Sequence, residues 1–381
     1  MTKLSRCLLL AYGLACCVSQ PTTAATRIAP SHAESELSSS RSTSSLLGGG
    51  EREWKYEGIP SSLRNASPAE ISRILIAAAA VPGGPIRLAA AGGGVGPIAV
   101  LYPDIGEPYR SVFAKIIEGI EEKAQNKVSS YAVGSSFNPQ TVSGELKRQE
   151  VKVVIALGRN GLKAASTLDK EIGIVTGGVL SVPEGEGRNG AVLSLAPDPA
   201  LLLSKLKALA PQIQRVFVAY DPRQNAWLIK LAKEAARNQG IELVAQEAGD
   251  LKSAVGIYQN FFSNADPKRD ALWLPQDGTT VDEAVVLPLV LQESWSKSFT
   301  VFSSNVSHVR RGVLFALYPN NIELGRNLAS SALGVVNGAT ANRGTQPLRN
   351  VLTAFNTRTA SHLGLSKAAM QQSFDLVFPE Q

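Results

Sequence analysis

One pattern in this chain occurs twice. Pro97-Ile-Ala-Val-Leu-Tyr-Pro-Asp104 returns as Arg215-Val-Phe-Val-Ala-Tyr-Asp-Pro222, and each copy leads into an amphipathic stretch. A short apolar run bounded by a polar turn reads as a strand. Helical spacing follows in both: Val112, Ile116, Ile117 and Ile120 after the first turn, Trp227, Leu228, Leu231 and Ala235 after the second. Two α/β halves are the simplest account. Set face to face, such halves bring the carboxyl ends of their strands to either side of a crevice, where open α/β sheets hold small molecules.

The surrounding pattern agrees. Expected strands 98–102, 128–133, 152–157 and 172–177 alternate with helices 109–124, 139–148 and 160–169, which predicts a parallel, doubly wound, Rossmann-like sheet. Asp198-Pro199 caps a helix through Leu201, Leu202, Leu206 and Leu209 that stops at Pro211. The second half then opens with strands 216–220, 242–246, 271–274, 300–303 and 312–317. A helix from Ile322 to about Val336 ends on Asn337-Gly338, and the tail adds a strand over 350–355 and a helix over 366–372. Periodicity leaves open which half the tail joins.

At 381 residues the chain exceeds one ordinary domain, and a composition 44% hydrophobic and 18% charged fits a soluble globular protein. The net charge of +6 is spread as mixed pairs rather than basic blocks, which argues against a nucleic-acid partner. Lys3 and Arg6 precede an apolar run from Cys7 to Val18, followed by small and polar residues. That run is shorter than the roughly 20 residues a membrane span needs, so a cleaved signal peptide over 1–25 is expected. Two processing routes compete: cleavage after Thr23-Ala-Ala25, or lipid attachment at Cys16 or Cys17, whose flanks depart from the usual lipoprotein box. Plain secretion fits better. All three cysteines, Cys7, Cys16 and Cys17, fall in this signal, so the mature protein is expected to hold no disulfide and no thiolate site.

Residues 26–96 read as a flexible tether, dominated by Ser, Thr and Gly between Ser31 and Gly50. Within it, Ser67-Pro-Ala-Glu70 caps a short helix that Pro82-Gly-Gly84 stops. The glycine run ending at Gly96 precedes a strand instead of following one, so it is a linker and not a phosphate loop. Catalysis has little to build on. His32 lies in the tether, His308 stands beside Arg310 and Arg311 on an expected loop, and His362 sits in the tail. No His-Glu-x-x-His, Gly-x-Ser-x-Gly or Walker motif occurs, and nothing calls for a cofactor; an enzyme is not expected.

A set of segments carries a resemblance. In order they are Ala-Val-Leu-Tyr-Pro-Asp-Ile-Gly-Glu-Pro-Tyr109, Val-Ile-Ala-Leu-Gly158, Gly177-Gly-Val-Leu180 and Val-Phe-Val-Ala-Tyr-Asp-Pro222. Trp-Leu-Pro-Gln-Asp277, Phe-Ser-Ser-Asn305, Leu-Gly-Arg326 and Phe-Asn-Thr-Arg-Thr-Ala-Ser-His-Leu-Gly364 follow. From Ile98 onward the chain resembles the solute-binding proteins of ABC transporters in the periplasmic-binding-protein type I class, within the group that includes tryptophan-binding lipoproteins. The resemblance implies two hinged lobes, the first at 97–210 plus 339–381 and the second at 211–338. It implies a monomer in the periplasm of a Gram-negative bacterium, membrane-anchored only if lipidated, with a small-molecule ligand between the lobes and an inner-membrane ABC permease as partner. A ligand-sensing adaptor of the same fold, presenting its closed form to a signalling receptor, is the alternative.

The chemistry of the loops points to the same crevice. Free backbone N–H groups where strands give way to helices suit a carboxylate. Gly158 and Arg159, with Gly177 and Gly178, would let backbone approach a ligand. Ser303, Ser304 and Asn305 offer compact donors, Asp104, Glu107 and Asp277 can receive an ammonium group, and Tyr102, Tyr109, Tyr220 and Tyr318 can cover an apolar or aromatic side chain. An amino acid or related carboxylate meets all three requirements. Against this stand plain structural uses: Asp104, Asp221 and Asp277 as helix caps, and Tyr102 and Tyr220 as packing under their loops.

Overall fold

The computed structural model describes residues 96–379 apart from 108, 126, 183–189 and 340–343. The expected signal peptide, the tether with its short helix, Cys16 and Cys17 lie outside the described residues. The first half runs β1 (Ile98–Pro103), α1 (Tyr109–Lys123), β2 (Val128–Val133), α2 (Pro139–Arg148), β3 (Val153–Leu157), α3 (Gly158–Ser166), β4 (Gly173–Val179) and β5 (Ala191–Pro197). The second half begins with α4 (Pro199–Leu209), β6 (Arg215–Tyr220), α5 (Pro222–Asn238), β7 (Glu242–Glu247), α6 (Leu251–Asn264) and β8 (Asp270–Leu274). It continues through α7 (Val286–Lys297), β9 (Thr300–Ser303), α8 (Val306–Arg311), β10 (Phe315–Pro319) and α9 (Asn321–Val336). Last come β11 (Gly344–Leu348), β12 (Val351–Asn356), α10 (Thr357–His362), α11 (Ser366–Ala369) and β13 (Leu376–Phe378).

Strands such as β3 and β8, buried at every position, demand cover on both faces of a sheet, and parallel sheets wrapped by helices supply it. Two sheets form, ordered β11-β5-β4-β3-β1-β2 and β13-β12-β10-β9-β8-β6-β7. The repeated segments occupy equivalent places. β1 lies between β2 and β3, and β6 between β7 and β8, so each opens its sheet and sits beside the point where strand order reverses. The expected doubly wound parallel sheets are present, with one exception: β12 runs antiparallel to β10. The link from β11 is too short for a helical crossover, so the chain enters the second sheet against its grain.

The lobe boundaries differ from those expected. Helix α9, assigned to lobe 2 by its place in the chain, buries Leu324, Leu328, Ala329 and Ala332 among Ile98, Phe113, Ile116 and Val153 of lobe 1. Helix α4, assigned to lobe 1, buries Leu202, Leu203, Leu206 and Leu209 with Ile213, Val216 and Leu228 of lobe 2. The tail divides: β11 joins the first sheet, β12 and β13 the second. Periodicity shows that a helix has an apolar stripe and not which sheet the stripe meets. Among the described residues, lobe 1 therefore comprises β1 to β5 and α1 to α3 with α9 and β11, and lobe 2 comprises α4 through β10 with β12 and β13.

Three crossings make the hinge, and hydrogen bonds lash them together. Asp198 N–H donates to the Leu348 carbonyl at 2.8 Å and Asn320 N–H to the Asn350 carbonyl at 3.1 Å. Arg349 Nε donates to Asp198 Oδ2 at 3.2 Å. Two crossings also start helices, Asp198 capping Ala200 N–H and Asn320 capping Glu323 N–H, so two of the three changes of lobe coincide with a helix start.

Helix α9 meets α1 backbone to backbone. A Cβ added at Gly119 would lie 2.0 Å from the Ile322 carbonyl oxygen, and one at Gly325 2.0 Å from that of Ile116. Gly325→Ala is expected to cost about 3 kcal/mol in denaturant unfolding by forcing the helices apart. Gly144→Ala on α2, where a Cβ meets open space, is expected to change stability by less than about 1 kcal/mol.

Candidate functional site

The carboxyl ends of strands in both sheets face a cavity of about 330 Å³ between the lobes. Its lobe-1 wall is apolar. Tyr109, Val112, Phe113 and Ile116 recur at helical spacing on α1 and are joined by Leu180 and Leu195. The lobe-2 wall is polar, built from Gln276 and Asp277 after β8, Glu283, and Ser304, Asn305 and His308 after β9. Tyr318, Pro319 and Asn321 close the hinge side.

Of the residues singled out from sequence, Tyr109, Gly178, Asp277, Ser304, Asn305 and Tyr318 line this cavity. The others do not. Tyr220 is buried in the lobe-2 core and donates its hydroxyl to Glu247 Oε1 at 2.9 Å. Tyr102 packs beside the lobe-1 core; burial, and next the Asp104 charge, push its hydroxyl pKa up. Asp104 is exposed, and Glu107 accepts Ser111 N–H at 3.2 Å and its hydroxyl at 2.6 Å, which caps α1. The two tyrosine-acid turns thus support their own lobes instead of facing each other across the cleft.

The glycines make room for side chains. Gly158 and Gly178 have φ of 65° and 68°, and a Cβ on either would lie 3.2 or 3.0 Å from the Phe113 ring. Their absent side chains seat that ring against the sheet. At Gly177 the nearest atoms belong to Leu328 of α9, 2.6 Å away. Arg159, in the first turn of α3, stands off the cavity as well.

Asp277 closes the turn at 278–280, with both of its oxygens filled. Oδ2 accepts Asp221 N–H at 2.7 Å and Asn225 Nδ2 at 2.9 Å, while Oδ1 accepts the N–H groups of Thr279 and Thr280 at 3.0 and 3.1 Å. Behind it, Asp221 caps α5 and is gripped by Arg223 Nη2 at 2.6 Å. The Arg223 guanidinium holds the Asp221 carboxyl at about 2, against the opposing effect of burial, with help from Thr279 and Gln224.

Sequence reading missed Phe113, Gln276 and Glu283, and placed His308 on a loop in surface or structural use, where the structure has the helix α8. His308 is instead 2% exposed and wedged between two partners, Nδ1 2.8 Å from Ser303 Oγ and Nε2 2.7 Å from Glu283 Oε1. Arg311 Nη1 reaches Glu283 Oε2 at 2.8 Å. Ser303 is buried behind the wall; its hydroxyl also contacts the Leu274 carbonyl at 3.1 Å and accepts Asn305 N–H at 3.0 Å. Two polar atoms on the wall are unspent. Gln276 Oε1 is buried with no hydrogen-bond partner, and Asn305, whose Oδ1 caps α8 through Ser307 N–H, makes no bond through Nδ2 among the described residues.

Comparison with known proteins bears on this arrangement. No curated protein matches the chain. Residues 201–366 match the family model described as ABC transporter substrate binding protein. Among solved structures, the ligand-free, open form of a substrate binding protein with adhesive properties from Clostridium difficile is 17% identical, covers 70% of this chain and 95% of its own, and has a TM-score of 0.52. A conserved domain protein from Vibrio cholerae is 17% identical over 74% of this chain and 99% of its own, with a TM-score of 0.46. An ABC domain in complex with L-Trp from Streptococcus pneumonia is 15% identical over 74% and 100%, also at 0.46. The fold is that of type I periplasmic binding proteins, and over residues 201–366 the chain is similar to the ABC transporter substrate-binding family.

Two predictions test the polar wall. The Asp221 carboxyl titrates below its unfolded value of 3.8, so its stabilisation is present above that pH and lost as pH falls through about 2. Denaturation between pH 4 and pH 2 should show a loss of about 2 kcal/mol that Asp221→Asn abolishes. Asp277→Ala, which strands four donors, is expected to cost about 3 kcal/mol in thermal unfolding of the ligand-free protein.

Proposed function

We propose that the chain is an exported solute-binding protein that captures an amino acid or related carboxylate in the interlobe cavity and delivers it to an ABC importer. The observation that carries this reading is the asymmetry of the cavity. Its volume lies in the range of small-molecule sites, with an apolar α1 wall for a side chain and a polar lobe-2 wall for a head group. Gln276 Oε1 is an acceptor for an ammonium group, and Asn305 Nδ2 a donor for a carboxylate. Neither Asp104 nor Glu107 takes the ammonium role assigned from sequence, because neither reaches the cavity. A ligand that touches both walls favours the closed arrangement by its differential contacts with the two lobes. Export rests on residues 1–25, with the periplasm as destination and lipid attachment at Cys16 or Cys17 as the competing route. Recognition is favoured over catalysis because Ser303, the hydroxyl joined to the His308–Glu283 pair, is buried behind the wall with its partners in place.

Thermal-shift screening of the protein against amino acids, other carboxylates, sugars and nucleosides tests the ligand class. An apolar amino acid or its carboxylate relative is expected to stabilise by about 2.7 kcal/mol at one hundred times its dissociation constant. Stabilisation by a sugar and by no carboxylate would overturn the reading. Asn305→Asp keeps the cap on Ser307 but replaces the free donor with an acceptor. Calorimetry should show binding weakened by about tenfold or more, with the ligand-free melting temperature nearly unchanged.

A further inference from the structure

The polar wall of the cleft has one group whose charge can change without disturbing its neighbours. His308 lines the cavity beside Asn305 and is bonded through both ring nitrogens, Nδ1 to Ser303 Oγ at 2.8 Å and Nε2 to Glu283 Oε1 at 2.7 Å. A nitrogen this close to a carboxylate donates to it, so Nε2 keeps its proton and Nδ1 is where a second proton is gained or lost.

Ser303 serves both states. Its single hydroxyl proton has two acceptors in reach, His308 Nδ1 and the Leu274 carbonyl at 3.1 Å. When Nδ1 is bare, the hydroxyl donates to it and the Leu274 carbonyl keeps the Ser304 N–H at 3.1 Å. When Nδ1 is protonated, it donates to Ser303 Oγ, whose own proton turns to Leu274. Asn305 N–H donates to Ser303 Oγ at 3.0 Å in either case, so the residue that offers Nδ2 to a ligand stays in place. Rotation of one hydroxyl therefore accommodates a full unit of charge.

The surrounding groups decide what that charge does. Apart from the phenols of Tyr109 and Tyr318, the titratable side chains lining the cavity among the described residues are Asp277, Glu283 and His308, of which only His308 becomes positive. Glu283 is met from behind by Arg311 Nη1 at 2.8 Å, and Asp277 by four N–H and amide donors. Asp282 caps Ala284 and Val285 N–H, and Arg310 lies over the Phe378 ring. Of the strands packed on α8, β9 and β12 carry no titratable side chain and β10 carries Tyr318. A second proton on His308 is thus positive charge left over at the wall, and in a cavity shielded from bulk water it attracts a carboxylate.

We propose that the cleft takes up its carboxylate ligand together with a proton, held on Nδ1 of His308. This rests on the reading of the cleft as a carboxylate site. Binding is then strongest at low pH and weakens as pH rises past the titration of His308 in the complex, because the bound carboxylate favours the charged imidazole.

The test is calorimetry of the whole protein with L-valine, L-leucine and L-phenylalanine at about pH 7 in phosphate and in Tris, whose ionisation heats differ, followed by a scan from about pH 5.5 to about pH 8. The heats should differ between buffers in the sense of proton uptake, and affinity should fall about tenfold across the scan. His308→Gln, which still offers Glu283 a donor, should bind with an affinity that no longer follows pH. In a His32→Gln, His362→Gln double variant His308 is the one histidine left in the chain, and its ring proton signal should titrate at higher pH with ligand than without. Equal heats in both buffers with the same affinity across the scan would overturn the proton coupling and leave the carboxylate reading standing. A pH dependence that persists in His308→Gln, or a ring signal whose titration ignores the ligand, would overturn it as well. Failure of all three amino acids at every pH would overturn the carboxylate reading itself, and the coupling with it.

Discussion

Two helices can cross with their backbones touching only where neither carries a side chain, and α1 and α9 do so at Gly119 and Gly325. This contact ties together parts that are far apart in sequence. Helix α9 leaves the hinge at Asn320, and α1 presents Tyr109, Val112, Phe113 and Ile116 to the cleft. The helix that begins at the hinge therefore sets the height of the apolar wall. Gly158 and Gly178 finish the placement from below by leaving room for the Phe113 ring, and Gly177 does the same for Leu328. A methyl group at any of these points would have to move a helix or a ring, so the wall is held by absent side chains as much as by present ones.

The opposite wall is held by charge. Asp221, Asp277 and Glu283 are all buried, and each is met by donors: Arg223 and backbone N–H for Asp221, four N–H groups for Asp277, His308 and Arg311 for Glu283. Buried carboxylates without such partners would be strongly destabilising. Their saturation has a functional consequence. What the wall offers a ligand is the small remainder, Gln276 Oε1 and Asn305 Nδ2, set within a rigid polar frame that cannot easily rearrange. The same frame extends into lobe 2, since Glu283, which lines the cleft, is paired with Arg311.

The hinge joins these two walls with very few residues. Crossings at Asp198, Asn320 and Arg349–Asn350 lie side by side, cross-bonded through Leu348 and Asn350, and two of them start helices. The hydrogen bonds at these positions run between crossings, while each lobe keeps its own core on both faces of its sheet.

Sequence by itself determined the elements and their kind. The repeated pattern at 97–104 and 215–222 announced two α/β halves, and the elements that were expected formed close to their ranges because short apolar runs and helical stripes are local signals; β5, β11, β13, α6 and α7 were not expected, and α8 stands where a loop was. Of the aspartates read as possible helix caps, Asp221 caps α5, Asp277 closes a turn instead, and Asp104 is exposed. The tertiary structure decided what each stripe faces. It gave α9 to lobe 1 and α4 to lobe 2, divided the tail, turned β12 antiparallel, withdrew Tyr102 and Tyr220 from the cleft and brought Phe113, Glu283 and His308 to it. The reason is physical: periodicity reports that a surface must be buried, whereas the partner that buries it, and the few polar atoms left over for a ligand, depend on contacts between residues far apart in the chain.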